Sequence, residues 1–384
     1  MTRAPVEAGL LVWARERAGF KLEDLTKKFP KLPEWESGEI LPTLNQIDDF
    51  ARAVHVPVGY LFLSKPPDET LPIPDFRTFD GKAVERPSPN LLDMIHVCIE
   101  RQDWYRDFLM VEGGSELQFI GSATVETPAE TAATRIRETL GFDIAAREEC
   151  STWVDAMHLF IRQAEDSGIL VMVSGVVMSN NHRRLDPDEF RGFALSDPLA
   201  PLVFVNGADT KAAQMFTLAH ELGHLWLGKS ALSNMEIMQG AGFRREEVWC
   251  NAVAAEILVP LDALRAKLDT DEPLRELASK LAREFKVSTL VMLRRLLDAG
   301  RVERAQFEAA WVGEIGKLHA QQHRKTSGGD FRLTTLARVS RRFARALVAS
   351  TLEGQTLYRD AFRMLGISKA STLDKIGREA GVSE

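Results

Sequence analysis

Two histidines four residues apart, His220 and His224, enclose Glu221, Leu222 and Gly223 in the string HELGH. On an α-helix, positions i and i+4 stack on one face, so both imidazoles can reach a single metal ion while Glu221 projects beside it. This pattern does metal-assisted hydrolysis: the ion polarises a carbonyl and makes water acidic, and the carboxylate takes the proton from the attacking water. A zinc site needs at least one more protein donor. The next helical stretch, 246–258 ahead of Pro260, offers Glu246, Glu247 and Glu256. Glu247 and Glu256 stand nine residues apart, which at about 100° per residue sets them on opposite helix faces, so they compete as third ligand, with Glu246 behind them. The competing reading is a buried structural histidine pair on an apolar helix.

The elements around the motif fit a site that is held on a core. Leu218, Leu222 and Leu225 follow i, i+4 and i+7 and would dock the helix, with the histidines facing away from that stripe. Gly223 leaves room for a close approach beside the site, and Gly228 stands where a helix C-terminus wants it. Just upstream, PLVFVN reads as a strand feeding the helix.

The run FTLAHELGHLWLG followed by EEVWCNAVAAEILVP resembles the ImmA/IrrE family of metallopeptidases. GILVMVSG, EFRGFALSD and PLVFVN extend the resemblance over most of residues 160–262. It implies an α+β, mostly helical fold with a zincin-like peptidase domain and a small antiparallel sheet. It also implies Zn2+ as the cofactor, held by His220, His224 and Glu247, with Mn2+ as the other ion such ligands take. Glu247 is favoured over Glu256 because the family places its glutamate four residues before an Asn, here Asn251. Glu221 is then the general base. The implied partner is a protein substrate, a helix-turn-helix transcriptional repressor. The other reading is an antitoxin or regulatory binding protein that uses the peptidase fold as a scaffold for a toxin. A site closed by a fourth protein donor, such as Glu246 or Cys250, would favour that second reading.

Punctuation along the chain divides it into residues 1–65, a proline-rich linker over 66–90, a helical region over 91–165, the peptidase domain over 166–300 and a C-terminal helical region over 301–384. WESGEILPTLNQIDDFARAVHVPVGYLFL resembles an XRE-type helix-turn-helix domain, and LPIPDFRT is similar to proteins that fuse this domain to ImmA/IrrE peptidases. Between Leu25 and Trp35 the chain has only TKKFPKLPE, so the recognition helix is truncated, whereas reading DNA bases takes several exposed turns. Residues 1–70 hold 9 Lys and Arg against 11 Asp and Glu, the wrong sign for phosphate. Packing, homodimerisation or protein recognition is therefore the expected task of this domain, with DNA binding as the minor reading.

The remaining chain says less. Residues 90–112 and 128–166 read as helices, the second capped by Thr127 and started by Pro128. Arg338, Arg341, Arg342 and Arg345 fall at i, i+3, i+4 and i+7, which would make one basic helical face, after a flexible Ser327–Asp330 segment. With 45% hydrophobic and 27% charged residues, a net charge of −7 and no apolar run near ~20 residues, no membrane span is expected. Cys98, Cys150 and Cys250 are few, odd in number and far apart, as in reduced thiols. The apolar stretch of the N-terminus is broken by Arg15 and Glu16, so the expected compartment is the cytoplasm.

Overall fold

The computed structural model describes residues 3–75, 87–233, 244–268, 272–321 and 331–382. The chain forms two compact units, Met1–Pro72 with Glu85–Asp93, and Ile73–Val84 with Met94–Glu384.

In the first unit, α1 (Ala8–Arg17), α2 (Leu22–Thr26), α3 (Leu32–Glu36) and α4 (Leu44–Ala53) precede a 3-10 turn, Val58–Phe62. They enclose Leu10, Leu11, Leu32, Trp35, Ile47 and Phe50. Thr43 accepts from the Gln46 N–H and the Gln46 side chain returns to the Thr43 N–H, a reciprocal cap that starts α4. Helix α3 has five residues with a proline in its first turn and buries Trp35, so it offers no long exposed face.

The second unit is mostly helical with one small sheet. In chain order, α5 (Pro89–Val111) leads into this unit, followed by α6 (Ala129–Leu140), α7 (Ile144–Glu148) and α8 (Trp153–Asp166). Next come β1 (Leu170–Ser174), β2 (Gly192–Leu195), β3 (Leu202–Asn206), α9 (Lys211–Trp226), β4 (Ala231–Ser233) and α10 (Arg245–Leu258). The chain then runs through α11 (Leu261–Arg265), α12 (Leu274–Glu284), α13 (Thr289–Asp298) and α14 (Arg304–Gln321). Helices α15 (Phe331–Val339), α16 (Arg341–Leu352), α17 (Tyr358–Leu365) and α18 (Ala370–Ala380) end it.

The α+β, mostly helical class holds, but the sheet is mixed. Its order is β1-β3-β2-β4, with β1 parallel to β3 and the other pairs antiparallel. An antiparallel sheet was the expectation; the parallel pair arises because β2 returns on the far side of β3. All residues of β2, β3 and β4 are buried. Helices on both faces explain this. Val171, Ala194, Val203 and Val205 join the core that contains Leu218 and Leu222 of α9. On the other face Met172 meets Cys98 and Arg101 of α5.

Three expectations need correction. Residues 128–166 form three helices: Gly141 ends α6 in a left-handed conformation, and Asp143 and Thr152 cap α7 and α8. Pro128 is the N-cap of α6 and not its first residue. The arginines from 338 to 345 do not share a face, because Ser340 has φ of 70° and separates α15 from α16. Its hydroxyl accepts from the Phe343 N–H, restarting the helix. Arg342 points inward to the Tyr105 hydroxyl at 2.7 Å and the Glu165 carbonyl at 3.1 Å. Ser327–Asp330 and residues 76–86 of the expected linker lie outside the described residues. No described helix is long and apolar enough to cross a membrane.

Candidate metal centre

Helix α9 starts on Thr210, whose hydroxyl accepts from the Ala213 N–H at 3.3 Å, and ends before Gly228, which has φ of 66°. It crosses the sheet at β2 and lies beside α10 with no gap. A Cβ on Gly223 would come within 3.2 Å of the Cys250 sulfur, so the glycine is what lets the two helices touch. The leucine stripe is buried as expected, but the histidines are buried too: His220, Glu221 and His224 have no exposed surface.

The side chains converge. Nε2 of His220 and Nε2 of His224 stand 3.1 Å apart. The Glu247 carboxylate reaches them at 3.3 and 3.1 Å. Asn251, one turn along from Glu247, sets its amide oxygen 2.9 Å from Nδ1 of His220. That Nδ1–H therefore donates outward, and Nε2 keeps its lone pair for the centre. Ser233 of β4 closes the group, its hydroxyl 3.3 Å from Nε2 of His224. Among the described residues, His220, His224 and Glu247 form the cluster of donor side chains able to hold a metal ion.

Two physical facts fit this set to a cation. Tetrahedral donors at zinc bond lengths of ~2.0–2.1 Å lie about 3.3–3.4 Å from one another, close to the spacings found here. Converging lone pairs and a carboxylate in a water-free interior are costly unless a positive charge compensates them. Burial raises the Glu247 carboxyl, but the imidazoles beside it outweigh that and bring it down to about 2. Burial lowers the His224 imidazole, with Glu247 opposing.

Glu221 takes the place beside the cluster. Its carboxyl is pushed well above the usual range by burial and by the neighbouring Glu247 charge, with the Ser233 hydroxyl partly offsetting them. Neither oxygen meets hydrogen-bond geometry with a protein donor. Space for it comes from Gly192 of β2, where a Cβ would lie 2.5 Å from Thr217 and 3.1 Å from Oε1 of Glu221.

Residues 164–297 match the model of the IrrE N-terminal-like domain, a peptidase family. The match bears out the ImmA/IrrE part of the resemblance and supports a metallopeptidase, whose chemistry requires a metal. Residues 339–379 match a domain of unknown function (DUF8813). No curated protein matches the chain. Within the IrrE-like domain the structure separates the three competing glutamates. Glu247 faces the histidines, whereas Glu256, at the far end of α10, is ion-paired to Arg295 and Glu246 reaches Lys229 at 2.6 Å. Cys250 packs against Gly223 and its thiol is raised well above the usual range by burial. His182 and Arg184 lie exposed, and Arg183 half-buried, in the β1–β2 connection.

Three positions escape sequence reasoning. Gly192 carries a weak signal, a glycine inside an apolar strand, which marks close approach. Asn251 is legible only as a companion of Glu247, and its bond to His220 is not. Ser233 carries no signal, since a serine in KSALSN looks like any loop residue.

The last turn of α10 is gripped from outside. Arg137 of α6 donates to the Glu256 carbonyl at 2.6 Å, Arg147 of α7 to the Leu258 carbonyl, and Arg295 of α13 to the Val259 carbonyl at 2.9 Å. These carbonyls are left over where Pro260 stops the helix, and cations complement that end of its dipole. The clamp fixes the rotation and height of α10, and with them the position of Glu247.

Proposed function

We propose that the IrrE-like domain is a zinc-dependent endopeptidase that cleaves an intracellular protein, a helix-turn-helix transcriptional repressor. The observation that carries the hydrolytic reading is the convergence of His220, His224 and Glu247 with the Glu221 carboxyl beside them. Three protein donors is the number that catalytic zinc sites use, with a further position for substrate or water. The repressor as substrate rests on the family resemblance.

His220 and His224 would hold the ion through Nε2, with Asn251 fixing the tautomer of His220 and Glu247 supplying the negative charge. When bound, zinc supplies Lewis acidity, polarising a carbonyl and lowering the pKa of water. Glu221 accepts the proton of the attacking water at a carboxylate oxygen and delivers it to the departing amine nitrogen.

Glu221→Gln keeps the shape and removes the proton carrier. We expect metal content by elemental analysis to stay at the wild-type level while repressor cleavage, followed by mass spectrometry, falls by ~10²–10⁴. Full cleavage by the metal-loaded variant would overturn the mechanism.

A further inference from the structure

Strand β4 is the outermost in the sheet order, yet all three of its residues are buried. Its inner edge pairs with β2. Its outer edge is occupied by a short segment of the chain from far upstream: the Leu232 N–H donates to the Pro74 carbonyl at 3.0 Å, and Asp75 pairs with Leu232 in parallel. Ile73 is buried and anchors this strap, while Pro74 is exposed.

The position lies beside the chemistry. The residue after Leu232 is Ser233, whose hydroxyl is 3.3 Å from Nε2 of His224. Ser233 pairs with Gly192, which lies against Glu221. A strand laid on β4 sits one strand spacing, about 4.8 Å, beyond this pair. The strap also leaves one ladder position unfilled. On an extended backbone the N–H and C=O of one residue point to the same side, and Pro74, whose carbonyl reaches Leu232, has no N–H to give. A peptide with an ordinary residue there would make a fuller ladder with β4.

We propose that the outer edge of β4 is a docking edge for an extended peptide strand, and that Ile73–Asp75 is its resident, displaceable occupant. The incoming strand adds to the sheet through main-chain hydrogen bonds, with every second side chain turned toward the protein. The inference rests on the peptidase reading only in taking that strand to be substrate; docking itself is tested without catalysis.

The test uses the full chain and a fluorescein-labelled pentapeptide of sequence VIVDT, residues 72–76 with valine in place of Pro72 and Pro74 and threonine in place of Phe76. In the variant carrying Ile73→Ser, Pro74→Gly and Asp75→Ser, the Leu232 amide should lose protection from hydrogen exchange. The probe should bind this variant at least tenfold more tightly than wild type by anisotropy, and adding it should restore the protection. Equal affinity for both proteins while the Leu232 amide exchanges freely would overturn the proposal. Should the triple variant fail to fold, Pro74→Val tests the same claim from the other side. It should slow Leu232 exchange and weaken probe binding severalfold, and unchanged exchange and affinity would overturn the proposal. Metal removal by chelation should leave probe binding in place. Loss of hydrolysis or of metal therefore bears on the peptidase reading, and loss of docking on this one.

Discussion

At the first turn of α10, Glu247 faces two imidazoles; at the last turn, Glu256 faces a guanidinium. Both carboxylates are buried, on one helix, half a revolution apart. What separates them is the partner. Arginine keeps its charge at every accessible pH and presents a fixed fork of donors, so it satisfies Glu256 permanently and closes that end as structure. Imidazole offers lone pairs, so the two histidines and Glu247 together make a donor set able to hold a cation. One end of the helix is built to be complete and the other to be completed.

The largest effect should come from the incomplete end. Glu247→Ala removes the charge that balances the ion, and zinc affinity, measured by competition with a chelator, should fall by at least ~10³-fold with little loss of thermal stability in the metal-free protein. Retained affinity would break the comparison. At the complete end, Glu256→Ala should leave metal stoichiometry unchanged but take from the buried Arg295 one of its two carboxylate partners, Asp298 remaining at 3.3 Å, and destabilise the fold by about 1.5–3 kcal/mol in denaturant titrations. Loss of metal with normal stability would reverse the assignment of the two glutamates.

Glu165 sharpens the comparison with a third kind of partner. Its carboxylate accepts from the Ser340 hydroxyl and, at 2.9 Å, from the Arg341 N–H at the start of α16. Burial raises this carboxyl to about 7, and those hydrogen bonds only partly oppose it. Because the folded value lies above the ordinary value of 4.5, the neutral form favours folding. Stability from this group is full below about pH 4.5 and declines as pH rises through about 7, a change of about 3 kcal/mol at ~1.4 kcal/mol per pH unit. Glu165→Gln should flatten that part of the stability profile; an unchanged slope would remove Glu165 as its source. The smallest effect is expected from Asn251→Ala, which frees the His220 ring without removing a donor. Metal affinity should drop ~10–100-fold, and a silent substitution would show that packing alone orients the ring.

Much of the centre was legible because its first two donors are local. His220 and His224 need only a helix to share a face, and the leucine stripe announces that helix. The third donor was not fixed by periodicity, since opposite faces of α10 are equally regular; the neighbours of each face decide it, and they come from elsewhere in the chain. The strands were visible as apolar runs, whereas the parallel pairing of β1 with β3 is a long-range fact that no window contains. The arginine periodicity misled because it runs unbroken through Ser340, where the backbone turns left-handed and the hydroxyl starts a new helix. The resemblance pointed to Glu247, which the structure sets 3.3 and 3.1 Å from the histidines, yet it carried no sign of Gly192 or Ser233, whose places exist only once α9 lies on the sheet.

The arginine clamp on α10 has a consequence for the order in which the molecule is made. Synthesis proceeds from the N-terminus, and domains fold as units. Arg137 and Arg147 are ready before α10 exists, but Arg295 is added only after every donor of the cluster, and α15, which crosses β1, comes later still. A nascent chain thus holds its histidines on α9 and Glu247 on α10, whose far end is still partly free. The frame of the centre thus includes sequence well downstream of it, so a ribosome stalled before residue 295 carries His220, His224 and Glu247 in an unfinished frame.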